Sequence, residues 1–210
     1  MQENMKYNMD TYQFRKDVLE KILKIIDKQS TTPKGGTLFF GDSLVELMPS
    51  NVPVINNGIG GMSSKALEGL LDELVIKFEP AKVYLHIGTN DLGQTVMDSP
   101  RDIAQNVQRL FYILKRNLPD AELNLISTLP NIDELDSMQS TNRGMRTRDL
   151  IELLNKEYQY HLELLDVNFI NLYPALFNEE GQLMTELYQD GLHVNEKGYK
   201  CLMDYYKKHY

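Results

Sequence analysis

The chain has 210 residues, with 22 Lys and Arg against 30 Asp and Glu, a net charge of −8 and a pI near 5.0. A chain of this length buries roughly 70% of its unfolded surface, and 42% hydrophobic with 25% charged residues excludes disordered, collagen-like and coiled-coil classes. The acidic balance offers no electrostatic footprint for nucleic acid or for an anionic membrane surface, and the single cysteine, Cys201, excludes an intrachain disulfide.

Residues 1–9, MQENMKYNM, lack the charged and apolar regions of a signal peptide. No run of 18 apolar residues offers a spanning helix. The expectation is one soluble, cytoplasmic domain over residues 1–210, needing neither cofactor nor metal.

Along the chain, Val18, Ile22, Ile25 and Ile26 recur at helical spacing with Leu19 and Leu23 beside them, predicting an amphipathic helix over about 10–28 that starts at Asp10 as N-cap. Ser30-Thr31-Thr32-Pro33-Lys34-Gly35-Gly36 ends it. Short unbroken apolar runs follow at Thr37–Phe40, Val52–Ile55, Lys82–Ile87, Leu123–Ile126 and Phe169–Leu172. Runs without alternation suit strands buried on both faces. Between them, helical patterns cover Ser63–Phe78, capped by Ser63 or Ser64, then Arg101–Asn117 behind Pro100, residues 145–165, and residues 195–208. Such alternation predicts an α/β fold, a parallel sheet of about five strands with helices on both faces. The longest irregular stretches, about 128–144 and 174–194, are where function is expected.

In parallel sheets, ligands gather at the carboxyl ends of the strands. The residues there are Gly41-Asp42-Ser43, Asn56-Asn57-Gly58-Ile59-Gly60-Gly61, Gly88-Thr89-Asn90-Asp91 and Ser127-Thr128-Leu129-Pro130. Ser43 is a hydroxyl presented at the sheet edge, with its own N–H facing a developing oxyanion, or else Asp42 or Ser43 simply caps the helix. Asn90 is either a turn residue or a side-chain amide donor. Asp190-Gly191-Leu192-His193 places a carboxylate three residues before an imidazole across a glycine turn, the orienter-and-base half of a serine hydrolase site. His86, within a strand run, reads as a hydrogen-bonded core residue. His161 continues a helix stripe and His209 is near the terminus, so the histidines do not form a metal set. The phosphate-loop pattern and the G-x-S-x-G elbow are absent, and Ser63 replaces the last glycine of a dinucleotide fingerprint.

Gly41-Asp42-Ser43-Leu44, Asn57-Gly58-Ile59-Gly60-Gly61, Gly88-Thr89-Asn90-Asp91 and Asp190-Gly191-Leu192-His193, in this order, resemble the four motif blocks of the GDSL, or SGNH, hydrolase family. The Ile-Gly-Gly and Gly-Thr-Asn forms are most similar to its platelet-activating-factor acetylhydrolase-like branch. The resemblance implies a flavodoxin-like three-layer α/β/α sandwich. It implies Ser43 as nucleophile, His193 as base and Asp190 as its orienting carboxylate. It also implies an oxyanion hole from Ser43 N–H, Gly61 N–H and the Asn90 amide. Met62 departs from the polar residue usual after the glycine pair, and with Asp42, Tyr188 and Leu192 it is a candidate for substrate contact. Tyr188 and Leu187 either line an acyl pocket or pack the loop down.

The function implied is a serine esterase or acylhydrolase acting on a small, short-acyl ester, with acetyl favoured. A carbohydrate O-deacetylase and a non-catalytic glycan- or ligand-binding member are the alternatives. The branch can dimerise, which leaves a homodimer open. Arg143, Arg146 and Arg148, near a helix start, read as solvated, as paired with Asp133, Glu134 or Asp136, or as facing an anionic substrate group.

Overall fold

Each of the five apolar runs leads to a strand of one all-parallel sheet. The structure is a computed structural model that describes residues 14–93, 98–132 and 146–210. The strands are β1 (Thr37–Gly41), β2 (Ile55–Gly58), β3 (Lys82–His86), β4 (Glu122–Ile126) and β5 (Asn168–Ile170), in the order β2-β1-β3-β4-β5. The order reverses at β1, which lies between β2 and β3. Such a reversal opens a crevice at the strands' carboxyl ends.

Strand alternation explains the two apolar layers. Leu38, Phe40, Val83, Leu85, Leu123 and Leu125 join the larger core. The intervening Phe39, Tyr84 and Ile126 join a second cluster on the other face. The larger core is covered by α1 (Lys16–Lys28), α3 (Ser64–Glu68), α4 (Leu71–Leu74), α5 (Pro100–Asn117) and α6 (Arg148–Leu162). The smaller holds Leu44 of α2 (Ser43–Glu46) and Leu202 of α7 (Glu196–His209). The result is the expected flavodoxin-like α/β/α sandwich.

Three boundaries differ from the sequence pattern. Helix α1 begins at Lys16 with Arg15 in the cap position, and the proposed cap, Asp10, lies outside the described residues. The second strand starts at Ile55, where the apolar run Val52–Ile55 ends, and continues through Asn56, Asn57 and Gly58. A proline lacks the N–H a ladder needs, and Pro53 sits inside that run. The polar residues make the ladder instead, with Leu38 to Gly41 opposite Ile55 to Gly58. The pattern over Ser63–Phe78 is not one helix: it breaks at Gly69 and Leu70 between α3 and α4, and Ile76–Phe78 forms a 3-10 turn. Ser63 is the cap, accepting from the Ala66 N–H.

The remaining caps are local. Ser99 caps α5 ahead of Pro100, Thr147 caps α6, and Asn195 accepts from the Lys197 and Gly198 N–H groups at α7. Among the described residues, no helix is long and apolar enough to cross a membrane, and no three His, Cys, Asp or Glu side chains are grouped to hold a metal ion.

Candidate active site

The nucleophile candidate is placed by the end of β1. Gly41 has φ 136°, and a Cβ there would fall 1.8 Å from the carbonyl oxygen of His86 on β3. The neighbouring strand therefore leaves room only for glycine. Asp42 then donates its N–H to that same carbonyl at 3.2 Å. The Asp42 side chain accepts from the Leu44 N–H at 3.0 Å and meets His86 Nδ1 at 3.0 Å. Asp42 is thus the cap and a buried partner of His86, which confirms His86 as a hydrogen-bonded core residue. It also moves Asp42 out of the substrate-contact set, because its carboxylate is turned into the protein.

Ser43, at the first position of α2, faces the late loop. Its Oγ lies 2.9 Å from His193 Nε2, and His193 Nδ1 lies 2.7 Å from Asp190 Oδ2. With the serine hydroxyl donating to Nε2, the other ring nitrogen carries the proton that Asp190 accepts. Asp190 Oδ1 also accepts from the backbone N–H of Leu192 at 3.0 Å and of His193 at 2.7 Å. Partial burial raises the Asp190 carboxyl. The His193 backbone N–H and ring, with the Leu192 N–H, outweigh it and hold the group below its ordinary value. The sequence spacing of Asp190 and His193 is therefore realised as one hydrogen-bonded unit.

The loop carrying that pair is stapled at several points. Gly191 adopts φ 89° at the turn. Gln189 N–H donates to the His193 carbonyl, and Ile132 N–H donates to that of Gly191 at 2.6 Å. Tyr188 is buried and its hydroxyl donates to the Pro130 carbonyl at 2.6 Å. Of the two readings left open for it, packing the loop down is the one its contacts support. Leu192 is half-buried beside the histidine.

Facing Ser43 is the turn Ile59–Met62. The Met62 N–H donates to the Ile59 carbonyl at 3.2 Å, and Gly61 has φ 82°, as the third residue of a type II turn requires. The Ser43 Cβ would lie 3.6 Å from a Cβ on Gly60. Asn90 donates its side-chain amide to the Met62 carbonyl at 2.9 Å, which fixes the amide. Met62 itself buries its side chain in the larger core. Its contribution to the site is its backbone.

Beneath Asn90, Asp91 is fully buried. One oxygen accepts from Ser64 N–H at 2.8 Å and Ser64 Oγ at 2.5 Å, tying the Gly88–Asp91 loop to α3. The other has no hydrogen-bond partner among the described residues. Burial pushes the Asp91 carboxyl up to about 7, despite the two Ser64 donors that lower it.

The arginine cluster resolves in part. Arg146 is buried, with its guanidinium packed where a Cβ on Gly93 would sit, so it is not a solvated surface residue. Arg143 and the acidic candidates Asp133, Glu134 and Asp136 lie outside the described residues. One contact was not anticipated from sequence: Glu46 Oε2 accepts from Gly60 N–H at 2.6 Å while Lys21 Nζ sits 2.6 Å from Oε1.

Residues 27–201 match the model of the GDSL-like Lipase/Acylhydrolase family. The chain belongs to this family. It is accordingly a carboxylic ester hydrolase of the GDSL type. Solved structures with the same fold include a Streptococcus pneumonia protein provisionally described as a platelet activating factor, 28% identical over 91% of this chain and 93% of that one, with TM-score 0.77. A GDSL-like lipase from Bacteroides thetaiotaomicron is 21% identical over 89% and 95%, with TM-score 0.74. A catalytic mutant of Axe2, an acetylxylan esterase from Geobacillus stearothermophilus, is 18% identical over 84% and 94%, with TM-score 0.62. No functionally curated protein matches this GDSL hydrolase.

Proposed function

We propose that this GDSL hydrolase cleaves short-acyl esters, acetyl esters foremost, through a Ser43–His193–Asp190 relay and an acyl-enzyme. The observation that carries the reading is the continuous chain from Ser43 Oγ through both nitrogens of His193 to Asp190, with links of 2.9 and 2.7 Å. A serine hydroxyl is a weak nucleophile at its own pKa, and a base held in line with it removes that handicap.

Ser43 Oγ attacks the ester carbonyl carbon as its proton passes to His193 Nε2. The oxygen becomes anionic and is met by Ser43 N–H, Gly61 N–H and an N–H of the Asn90 amide. Asp190 stays ionised and stabilises the imidazolium. The tetrahedral adduct collapses, its C–O bond to the alcohol breaks, and the alcohol leaves with the proton from His193. Water then repeats the sequence on the acyl-enzyme, releasing the carboxylic acid and the free serine. Each oxyanion donor contributes about 10²–10³ in rate on the scale of comparable donors.

The acetyl preference draws on the motif resemblance to the platelet-activating-factor acetylhydrolase-like branch and on the description of the Streptococcus pneumonia protein. The fold shared with an acetylxylan esterase makes an acetylated sugar the competing substrate class. Hydrolysis of p-nitrophenyl acetate, butyrate and octanoate, with acetate release from acetylated xylo-oligosaccharides, tests both points. The expected result is turnover that falls with chain length and is abolished in Ser43→Ala, with the variant's circular dichroism unchanged. Unchanged turnover in Ser43→Ala would remove Ser43 as the nucleophile, and a rise toward octanoate would remove the acetyl preference.

A further inference from the structure

Gly61 supplies its N–H to the oxyanion from the middle peptide of the turn Ile59–Met62. That peptide joins Gly60 to Gly61. It is the unit whose orientation separates a type II from a type I turn. Both residues it links are glycines, so their own side chains do nothing to hold it. The ends of the turn are fixed by other contacts. Ile59 N–H donates to the Gly41 carbonyl at 3.0 Å, and the Asn90 amide holds the Met62 carbonyl at 2.9 Å.

At the centre, the contact is Glu46. Its Oε2 accepts the Gly60 N–H at 2.6 Å, on the peptide immediately before the one that points at the oxyanion. Its other oxygen is 2.6 Å from Lys21 Nζ of α1. Glu46 stands three residues after Ser43 on α2, so the acceptor and the nucleophile move as one short element. A Cβ on Gly58 would fall 2.2 Å from the Glu46 N atom, which packs the end of β2 directly on that helix turn.

We propose that Glu46, oriented by Lys21, is a positioning residue that holds the Gly60–Gly61 peptide in the orientation needed for the oxyanion hole. The inference rests on the esterase reading above and adds to it a role for α1. The family match begins at residue 27, so Lys21 lies before the matched region. Helix α1 is thereby coupled to the catalytic turn rather than only covering the core. Arg15, in the cap position of the same helix, brings its guanidinium within 3.8 Å of a Cβ built on Gly61.

A contact that only added stability would lower the melting temperature and leave the kinetics of the folded enzyme alone. A positioning contact lowers kcat with little change in KM, because the oxyanion exists in the transition state and not in the bound ester. It also weakens a tetrahedral boronate inhibitor in proportion to kcat/KM. The full chain is assayed with p-nitrophenyl acetate as wild type, Glu46→Ala, Glu46→Gln and Lys21→Met. Glutamine keeps an oxygen for the Gly60 N–H and is the rescue. Lys21→Met alters a half-exposed side chain and serves if Glu46→Ala does not fold.

The expected result is a kcat lower by about 10- to 100-fold in Glu46→Ala, a fraction of what a lost oxyanion donor costs, with KM within about twofold and the boronate weakened in step. Glu46→Gln recovers most of the loss, and Lys21→Met loses a fewfold. An active wild type with kcat unchanged in Glu46→Ala, or Glu46→Gln no better than Glu46→Ala, overturns the proposal and leaves the esterase reading standing. If Glu46→Ala does not fold, an unchanged kcat in Lys21→Met overturns it. An inactive wild type overturns both.

Discussion

The two sides of the candidate active site are built differently. The side carrying Ser43, the Gly60–Gly61 turn and Asn90 grows from the ends of β1, β2 and β3, where Asp42, Asn57, His86, Thr89 and Asp91 are all buried. The side carrying Asp190 and His193 is a loop ahead of α7, where the Asp190 side chain keeps 49% of its exposure and His193 keeps 21%. A sheet end cannot shift without breaking a ladder or a core. A loop pair is held by hydrogen bonds between close neighbours in sequence, here Asp190 to Leu192 and His193. The strand-end side is therefore fixed by tertiary packing, while the Asp190–His193 pair forms within four residues on a loop tied down by Ile132 and by the Tyr188 contact to Pro130.

That contrast predicts separable failures. The largest effect is expected on the loop side and on rate alone. His193→Ala should lower kcat at least about 10⁴-fold, as removal of a triad base does elsewhere. Because the ring is partly exposed and its loop backbone is held by other contacts, the melting temperature should stay within about 3 °C. A drop well beyond that would mean the loop is as integral to the fold as the strands.

Next in size is the sheet side, where stability and rate should fall together. Gly41→Ala forces a Cβ to within 1.8 Å of the His86 carbonyl. It should cost more than about 4 kcal/mol of stability, the range of severe packing and backbone defects. Denaturant unfolding measures it, and a loss below about 1 kcal/mol would show that the β1–β3 contact yields more easily than its geometry implies.

The smallest effect sharpens the comparison through pH. Burial holds the Asp91 carboxyl at about 7, above its unfolded value of 3.8. The folded state therefore binds this proton more tightly than the unfolded one. Its contribution to stability is complete below the unfolded value and is lost as pH rises through the folded value. Asp91→Asn keeps an acceptor for Ser64 and cannot ionise. Its melting temperature relative to wild type should rise between pH 4 and pH 8, by an amount on the order of 5 °C. A flat difference across that range would mean Asp91 remains ionised despite its burial.

The motif residues were legible because their chemistry is local. Asp42 caps through the Leu44 N–H and Asp190 pairs with His193, each within four residues, and short spacing constrains geometry. The strands β1, β3 and β4 were legible for a related reason, since burial on both faces leaves an unbroken apolar run. Strand β2 was harder. As an edge strand it forms from Asn56, Asn57 and Gly58, while the apolar Val52 and Val54 precede it. Position beside motif residues makes Met62 and Asp42 candidates for substrate contact. Their side chains point into the protein, a direction that motif position does not encode.

Glu46 and Lys21 show the same limit from the other side. An acidic residue in a four-residue helix and a lysine on an amphipathic helix look like solvated charges, and nothing in their spacing of 25 residues links them. They meet because tertiary packing brings α1 beside α2, with Lys21 Nζ 2.6 Å from Glu46 Oε1. Ser64 and Asp91 meet across 27 residues in the same way.

By itself, the sequence determined the layer architecture, the strand-end location of the site and the identity of the Ser43, Asp190 and His193 candidates, because periodicity and short-range turn chemistry are written in consecutive residues. Only the tertiary structure decided that Ser43 and His193, 150 residues apart, come within 2.9 Å. It also decided that the Gly60 N–H meets Glu46 and, through it, Lys21 of α1, and which motif neighbours face inward. Those outcomes depend on how separate elements pack, and packing is set by the whole core at once rather than by any stretch of chain.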